Sequence, residues 1–335
     1  MDADLVIQQM SRYGMISLLL IGDLGTIFNC LIFRQPALKS NPCSMYFLAS
    51  SVSQLFSFNF GLLTRILSFG FTIDPSNTSL FYCKLRSYLS ILVPLFPRFY
   101  ILLACLDRWA NSSSSAHLRK WSSVKIARRM ILCNFLFWLL TSVHLLIFNS
   151  IVQNKCQNVP GFYPTFYSFY VLIVPGLGPI AGMLILGLLT LKNVKTNRRR
   201  IHPLRAGERP RMKQKDLQLC QMLLFQVLIN VLLNLPSPLY LIYSTFSTGY
   251  KSPQRLAIEK LMSYLVLFLV YLGYTLSFFL YTLSSRTYRH EFVRLFKQLK
   301  HTLSRQRPLP PARYQNVHSN VVYTIRTQTT TIRTS

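Results

Sequence analysis

The sequence predicts an all-α membrane protein, a bundle of seven transmembrane helices with a short amphipathic surface helix after the seventh span. Three observations predict it: the composition of the chain, the length of its apolar segments and the placement of its basic residues. The 335 residues are 51% hydrophobic and only 14% charged, whereas soluble proteins average about 25% charged residues. This composition excludes an ordinary soluble enzyme, and a chain that is half apolar is not a disordered basic protein.

Seven segments are long enough to cross a bilayer, which takes about 20 apolar residues of helix. Helices are expected because hydrocarbon offers no partners for backbone polar groups. The predicted spans are residues 14–33, 46–71, 85–106, 130–151, 166–191, 217–246 and 256–283. The chain then divides into a short extracellular N-terminus at 1–13, the seven-helix domain at 14–283, the amphipathic helix at 284–300 and a flexible cytoplasmic tail at 301–335.

The basic residues orient these spans. With the N-terminus outside, 28 of the 37 lysines and arginines fall in the cytoplasmic loops and the C-terminal segment, as the positive-inside rule requires. We therefore expect a multi-pass protein of the plasma membrane with a cytoplasmic C-terminus. The same orientation places Asn77, which opens an Asn-Thr-Ser glycosylation sequon, on the extracellular side.

The segment after the seventh span combines apolar and basic side chains. Phe292, Phe296 and Leu299 share one helical face among basic residues, which is typical of a helix lying on an anionic inner leaflet. A basic stop-transfer flank would explain the charge but not the apolar stripe. The apolar segments argue against nucleic acid as a partner despite the net charge of +28. Scattered histidines and few carboxylates predict no metal site, no cofactor and no catalytic centre.

Two cysteines are placed to form a disulfide. Cys83 lies at the outer start of the third span, and Cys156 lies in the loop after the fourth span on the same side. Thiols outside the cytosol oxidise, so we expect this bond to tie the loop to the third helix. The other cysteines fall within or beside spans and are expected to pack as small apolar residues.

Seven residues lie at definite places along the predicted spans. They are Cys83, Asp107, Arg108, Trp109, Trp138, Pro236 and Tyr281. Their joint spacing resembles that of the rhodopsin-like G-protein-coupled receptors, in which an Asp-Arg-Tyr triplet closes the third helix. The resemblance implies that an extracellular ligand activates a heterotrimeric G protein through outward movement of the sixth helix. It also implies a receptor kinase and arrestin as partners of the threonine-rich tail.

Five positions depart from the family pattern. The first-helix asparagine corresponds to Thr26, the sodium-binding aspartate to Gln54, the sixth-helix tryptophan to Asn234, and the seventh-helix Asn-Pro to Ser277 and Phe278. In these respects the chain looks like a divergent invertebrate branch, loosely similar to neuropeptide (FMRFamide-type) receptors. The changes argue against sodium modulation and against the family's usual activation relay.

Arg108 is a permanently charged side chain at the membrane edge and needs a partner. The hypothesis is that Arg108 pairs at rest with Asp107 and Asp216. It would release Asp216 when the sixth helix, bent at Pro236, swings outward. In the resembling family an acid at the position of Asp216 has this role. The alternative is two unrelated interfacial charges.

Arg98 lies inside the third span, where an unpaired cation is expensive. Asp23 in the first span is the acid expected to pair with it. The arginine would then replace the sodium ion that Gln54 cannot hold. A purely structural polar network of Asp23, Gln54 and Arg98 is favoured over a direct signalling role.

Residue identities disfavour two classes of ligand. Amine receptors have an aspartate at the position of Ser90, and opsins have a lysine at the position of Tyr271. Basic and aromatic residues toward the outer side favour a peptide or a small anionic ligand, although each alone could be an interfacial anchor. The candidate pocket residues are Arg65, Ser90, Asn234, Tyr240, Tyr264 and Tyr271.

Two other classes of protein stay open. A receptor-like protein that no longer signals is suggested by Asn234, Ser277 and Phe278. A seven-span transporter or channel would need charged residues along a continuous path. Only Asp23, Arg65 and Arg98 could line such a path, and no internal repeat supports alternating access.

Overall fold

The fold is described from a computed structural model of the chain. The structure describes the backbone of residues 3–200, 214–247 and 252–305, and the side chains of residues 3–196, 218–247 and 252–298. The chain divides into a unit that ends at Leu295 and a unit that starts at Phe296. All contacts discussed below lie within the first unit. Asp216 and the tail from residue 306 onward lie outside the described side chains.

The described residues contain six helices that are long and apolar enough to cross a membrane. They are Ala3–Phe33, Leu80–Ser112, Val124–Ile147, Tyr163–Thr196, Gln218–Phe246 and Pro253–Ser284. These helices indicate a multi-pass membrane protein. The predicted second span is not among them, although its residues are helical.

The first two helices are interrupted by wider turns of π-helix. Helix α1 (Ala3–Phe33) contains the π segment Met10–Met15 and begins within the predicted extracellular N-terminus. Helix α2 (residues 42–70) consists of Pro42–Phe56, the π segment Ser57–Leu62, the short helix Leu63–Arg65 and a second π segment, Ile66–Gly70. Asn41 caps α2 by accepting a hydrogen bond from the Cys43 amide, and a proline at the first position suits a helix start.

Polar side chains explain why α2 is less apolar than the other long helices. The ones that donate to a carbonyl oxygen one turn earlier are Ser51, Ser53, Ser57, Asn59 and Thr64. Each such bond satisfies the side chain within its own helix, as is usual for small polar residues in apolar surroundings. Ser50 and Gln54 of α2 instead reach neighbouring helices.

Helix α3 (Leu80–Ser112) extends beyond the predicted span at both ends and contains Pro94 and Pro97. Helix α4 (Val124–Ile147) is followed by a β-hairpin, in which β1 (Asn149–Val152) pairs antiparallel with β2 (Lys155–Asn158). The expectation that the fourth span continues to residue 151 was therefore wrong. The hairpin forms because Gln153 and Asn154 both adopt positive φ angles, as a two-residue turn of this kind requires.

Prolines interrupt the next two helices. Helix α5 consists of Tyr163–Val171, the π segment Leu172–Leu177, which contains Pro175, and Gly178–Arg200. Helix α6 consists of Gln214–Asn234 and Pro236–Phe246, because Pro236 has no amide hydrogen to continue the ladder. Helix α7 (Pro253–Ser284) ends where Ser285 takes an extended conformation, and α8 (Arg286–Arg305) follows over the segment predicted as amphipathic.

Aromatic and aliphatic side chains fill the space between these helices. One cluster, toward the Arg108 end of α3, includes Phe33, Phe47 and Tyr281, whose rings lie within 5.5 Å of one another between centroids. Glycine allows the closest approaches of α1. A side chain at Gly22 would collide with the ring of Phe58, and one at Gly25 would lie 2.8 Å from Phe278. One face of α1 is thereby fixed against α2 and α7.

Candidate functional site

Polar groups collect at three levels along α3: near the disulfide, at mid-helix and beside Arg108. We call the two ends of the bundle the disulfide end and the Arg108 end. Cys83 and Cys156 are joined by a disulfide, so the expected bond is present. It ties β2 to the start of α3. The amide of Cys156 also donates to the Asn77 side-chain oxygen at 2.9 Å.

At the Arg108 end, the arginine is almost completely buried, with 1% of its surface exposed. Its Nε and Nη2 atoms donate to Oδ2 of Asp107 at 3.0 and 2.5 Å. The other carboxylate oxygen accepts from the Ser122 hydroxyl at 2.8 Å, and Nη2 also reaches Asn41 at 3.4 Å. The expected pair between Arg108 and Asp107 is present. Trp109 is half-buried beside it.

The partnership between Arg108 and Asp216 stays a prediction, since the Asp216 side chain lies outside the described residues. Burial nevertheless defines what the Arg108 end can do. Two charges removed from water attract each other without screening, so removing one of them leaves the other buried and unpaired. A rearrangement of the contacts of Arg108 therefore involves a large change in free energy.

Buried hydrogen bonds connect α3 to α1 through α2 and α7. The Ser50 hydroxyl donates to the Pro97 carbonyl at 3.3 Å and accepts from Gln54 at 3.4 Å. The Ser277 hydroxyl donates to Gln54 Oε1 at 3.1 Å and accepts from Asn29 at 3.5 Å. Gln54 and Ser277, two positions of departure from the receptor family, are thus bonded to each other.

The network ends on α8, where the Tyr288 hydroxyl donates to Asn29 Oδ1 at 2.5 Å. Asn29 therefore joins α1 to α7 through a side-chain hydrogen bond to Ser277, although the position that corresponds to the family's asparagine is Thr26. Thr26 donates to the Gly22 carbonyl within its own helix.

Arg98 bridges α3, α5 and α6. It donates to the Pro175 carbonyl at 2.7 Å and to Asn234 Oδ1 at 3.2 Å. The Pro175 carbonyl is available because the residue four positions later is Pro179, which has no amide hydrogen. The spacing of four residues between Pro175 and Pro179 is the sequence signal that could have identified this carbonyl as a partner for Arg98.

The expected pair between Arg98 and Asp23 was wrong. The Asp23 carboxylate accepts from the Asn59 side-chain amide at 3.0 and 3.1 Å, at the surface between α1 and α2. Asp23 lies on α1 outside the face that packs inward, so its side chain cannot reach the interior of the bundle. Arg98 is satisfied by oxygens instead, although its buried Nε has no partner.

A cavity of about 230 Å³ lies under the hairpin at the disulfide end. Its polar and charged lining residues include Arg65, Arg86, Ser90, Asn149 and Tyr167. The structure thus brings together two of the predicted pocket residues, Arg65 and Ser90. The phenols of Tyr264 and Tyr271, also predicted, are buried beside Arg65.

The two arginines of this cavity differ in their partners. Arg86 donates to both carboxylate oxygens of Asp74 at 2.6 Å. Burial opposes ionisation of Asp74, but hydrogen bonds from Ser76, Arg86 and Ser68 outweigh it and lower the pKa of Asp74 to about 2. Among the described residues no carboxylate pairs with Arg65. The cavity therefore carries one uncompensated positive charge.

The other predicted pocket residues lie elsewhere. Asn234 is buried and bonded to Arg98. Tyr240 lines an apolar groove of about 470 Å³ between α6 and α7, where its hydroxyl donates to the Glu259 carbonyl at 2.8 Å. Among the described residues, no cluster of histidine, cysteine, aspartate and glutamate is arranged to hold a metal ion.

Neither the models of known protein families nor the curated proteins contain a match to this chain. The function is therefore argued from the residues themselves. They form a cationic cavity at one end of the bundle, a buried ion pair at the other, and polar bonds between the helices in the middle.

Proposed function

We propose that this protein is a membrane receptor that binds an extracellular peptide or small anionic ligand and activates a heterotrimeric G protein. In this proposal α2 is a seventh span and α8 lies on the inner leaflet. The N-terminus is extracellular, and the protein resides in the plasma membrane. The observation that carries the proposal is the position of α3. This one helix lines the cavity with Ser90, holds α5 and α6 through Arg98, and carries the buried Arg108 at its far end.

The charge of the cavity supports an anionic group on the ligand. Arg86 is neutralised by Asp74, whereas Arg65 lies beside the phenols of Tyr167 and Tyr271 and forms no ion pair with a carboxylate among the residues that the structure describes. A ligand carboxylate would give Arg65 a partner and could accept hydrogen bonds from Ser90 and Asn149. Arginine suits this purpose because its guanidinium presents paired donors to a carboxylate.

The middle of the bundle supports a route by which a ligand alters α6. Arg98 holds Asn234 of α6 through one hydrogen bond, just before the break at Pro236. In the proposed mechanism, ligand binding changes the positions of α3 and α5 and loosens this bond. The segment of α6 before Pro236 then moves outward, and Arg108 exchanges its contacts. The ligand acts by favouring one of two bundle states.

The test is activation of G proteins by the purified receptor. Cells expressing the chain are screened with a peptide library for second-messenger changes, and active peptides are tested in nucleotide exchange with purified G proteins. We expect Arg65→Gln to lose the response to acidic peptides and Arg65→Lys to retain part of it. Absence of exchange with every G protein, in a receptor that still binds ligand, would contradict the proposal.

A second candidate is a receptor-like protein that binds ligand without signalling. It is favoured by the bond between Gln54 and Ser277, which joins α2 and α7 where the family has an aspartate and an Asn-Pro pair. Helix α7 also has no proline after its first turn, so it lacks the usual point of bending. The exchange assay separates the two candidates because only the first predicts nucleotide release.

A further inference from the structure

One carboxylate lies on the outside of the bundle within an apolar helix. Asp23 is half-buried, and Asn59 of α2 beside it is exposed. The Asn59 amide donates to both Asp23 oxygens and to the Leu55 carbonyl. Asp23 forms no ion pair with any described residue.

The surroundings of this pair are apolar and face away from the bundle. The large exposed side chains near it in the two helices include Leu20, Leu24, Ile27, Val52, Phe56 and Leu63. Leu24 is 60% exposed and Phe56 is 64% exposed, which suits contact with lipid. A charged carboxylate in this environment is expensive unless something pairs with it.

Asp23 and Asn59 cannot turn into the bundle, and the bonds between them do not use all of their hydrogen-bonding groups. Gly22 packs directly against Phe58, which fixes the rotation of α1 and keeps Asp23 outside. A single amide group from Asn59 leaves most acceptor sites of the carboxylate open, since an ionised carboxylate can accept about four hydrogen bonds. Among the described residues, no donor reaches the Asn59 side-chain oxygen, and no lysine or arginine reaches the Asp23 carboxylate.

We propose that this face of α1 and α2 binds a transmembrane helix of a second protein that carries a lysine or arginine at the depth of Asp23. Charge complementarity selects this occupant, because a cation would both neutralise the carboxylate and donate to Asn59. A second copy of the chain does not supply it from the described residues: Arg98 is bonded inside the bundle and Arg65 lines the cavity. The inference goes beyond the proposed receptor function and does not depend on it.

The experiment uses the full-length chain in phosphatidylcholine nanodiscs, labelled with a fluorescent donor. The probes are synthetic leucine-alanine transmembrane helices with an acceptor, each carrying one lysine at a different depth. We expect energy transfer to be strongest for a single lysine position. An all-leucine helix and Asp23→Asn should each weaken binding about tenfold, since a polar contact between membrane helices contributes on the order of 1–2 kcal/mol.

Two controls keep the result interpretable. Asp23→Glu retains the charge and should bind the lysine helix as the natural protein does. Asn59→Leu retains the carboxylate and should still prefer the lysine helix, so it serves as the test variant if either aspartate variant fails to fold. Equal binding of the lysine and leucine helices, or no binding of either, would overturn the proposal. Two labelled copies of the chain could instead show energy transfer that depends on Asp23 and that the lysine helix does not reduce. That result would identify a second copy as the occupant and would also overturn the proposal.

Discussion

The two ends of the bundle use the same kind of ion pair in different surroundings. At the disulfide end, the side chains of Arg86 and Asp74 are 16% and 23% exposed. At the other end, those of Arg108 and Asp107 are 1% and 5% exposed. The first pair is partly screened by solvent and chiefly cancels a charge beside the cavity, whereas the second joins adjacent residues of α3 and is desolvated. The comparison teaches that burial, rather than distance between the charges, decides how much a pair contributes to stability.

Breaking the buried pair is the strongest test of this contrast. Arg108→Met leaves Asp107 charged and buried, so we expect a loss of about 3–5 kcal/mol in the free energy of unfolding. The double variant Arg108→Met/Asp107→Leu removes both charges and should recover much of that loss. Thermal unfolding of the purified protein in detergent measures both. A double variant that is as unstable as the single one would show that the cost does not come from a stranded charge.

Removing the covalent link is expected to have the next largest effect, at the opposite end. Replacing Cys83 and Cys156 together by serine should cost about 2–4 kcal/mol, because the bond closes a long loop of chain. The same detergent assay, with and without reducing agent, reports the change. Reductant should destabilise the natural protein and leave the double serine variant unaffected. Equal sensitivity of both proteins to reductant would contradict this account.

The network between the two ends should show an intermediate effect. Asn29→Leu removes the donor to Ser277 and the acceptor of Tyr288, and a buried group left unsatisfied costs about 1–3 kcal/mol. Thr26→Val is the matched control, because Thr26 bonds only within its own helix. We expect the control to be nearly neutral in thermal unfolding. A larger loss for Thr26→Val than for Asn29→Leu would contradict the assignment of this stabilisation to Asn29.

The partly exposed pair of Arg86 and Asp74 should have the smallest effect, visible as a pH dependence of the free energy of unfolding. The pKa of Asp74 is lowered to about 2 from an ordinary value of 3.8. Its contribution is therefore complete above pH 4 and is lost as the pH falls through about 2. After allowance for screening by solvent, we expect about 1 kcal/mol. Asp74→Asn should remove this dependence in unfolding measured from pH 5 to pH 2, while Asp4→Asn, an exposed control, should not.

Much of the fold follows from local properties of the chain. Apolar length predicts the long helices, and Pro236 predicts the break in α6. The polar α2 is the exception, because its serines face neighbouring helices and lower the mean hydropathy. The fourth span was predicted too long because the apolar Ile151, inside the first strand of the hairpin, continues the apolar segment of the preceding helix in the sequence.

The candidate site was predicted less completely, for a geometrical reason. The short helix that carries Arg65 lies between two π segments, and each wider turn shifts the face on which later residues lie. Helical periodicity alone could not place Arg65 beside Ser90 and Tyr271. It also could not show that Asp74 neutralises Arg86 and leaves Arg65 without a carboxylate.

The amino-acid sequence alone was enough to predict a multi-pass helical membrane protein, the cysteines that pair, and the ion pair between Arg108 and its neighbour Asp107. These features depend on composition, on spacing along one helix, or on residues adjacent in the chain. Three contacts depend on tertiary packing: Asn29 bonds to Ser277 of α7, Arg98 takes the carbonyl of Pro175 rather than Asp23, and Asp23 faces outward. A hydrogen bond needs its donor and acceptor within about 3.5 Å of each other, and the rotation of the helices against each other decides which side chains come that close.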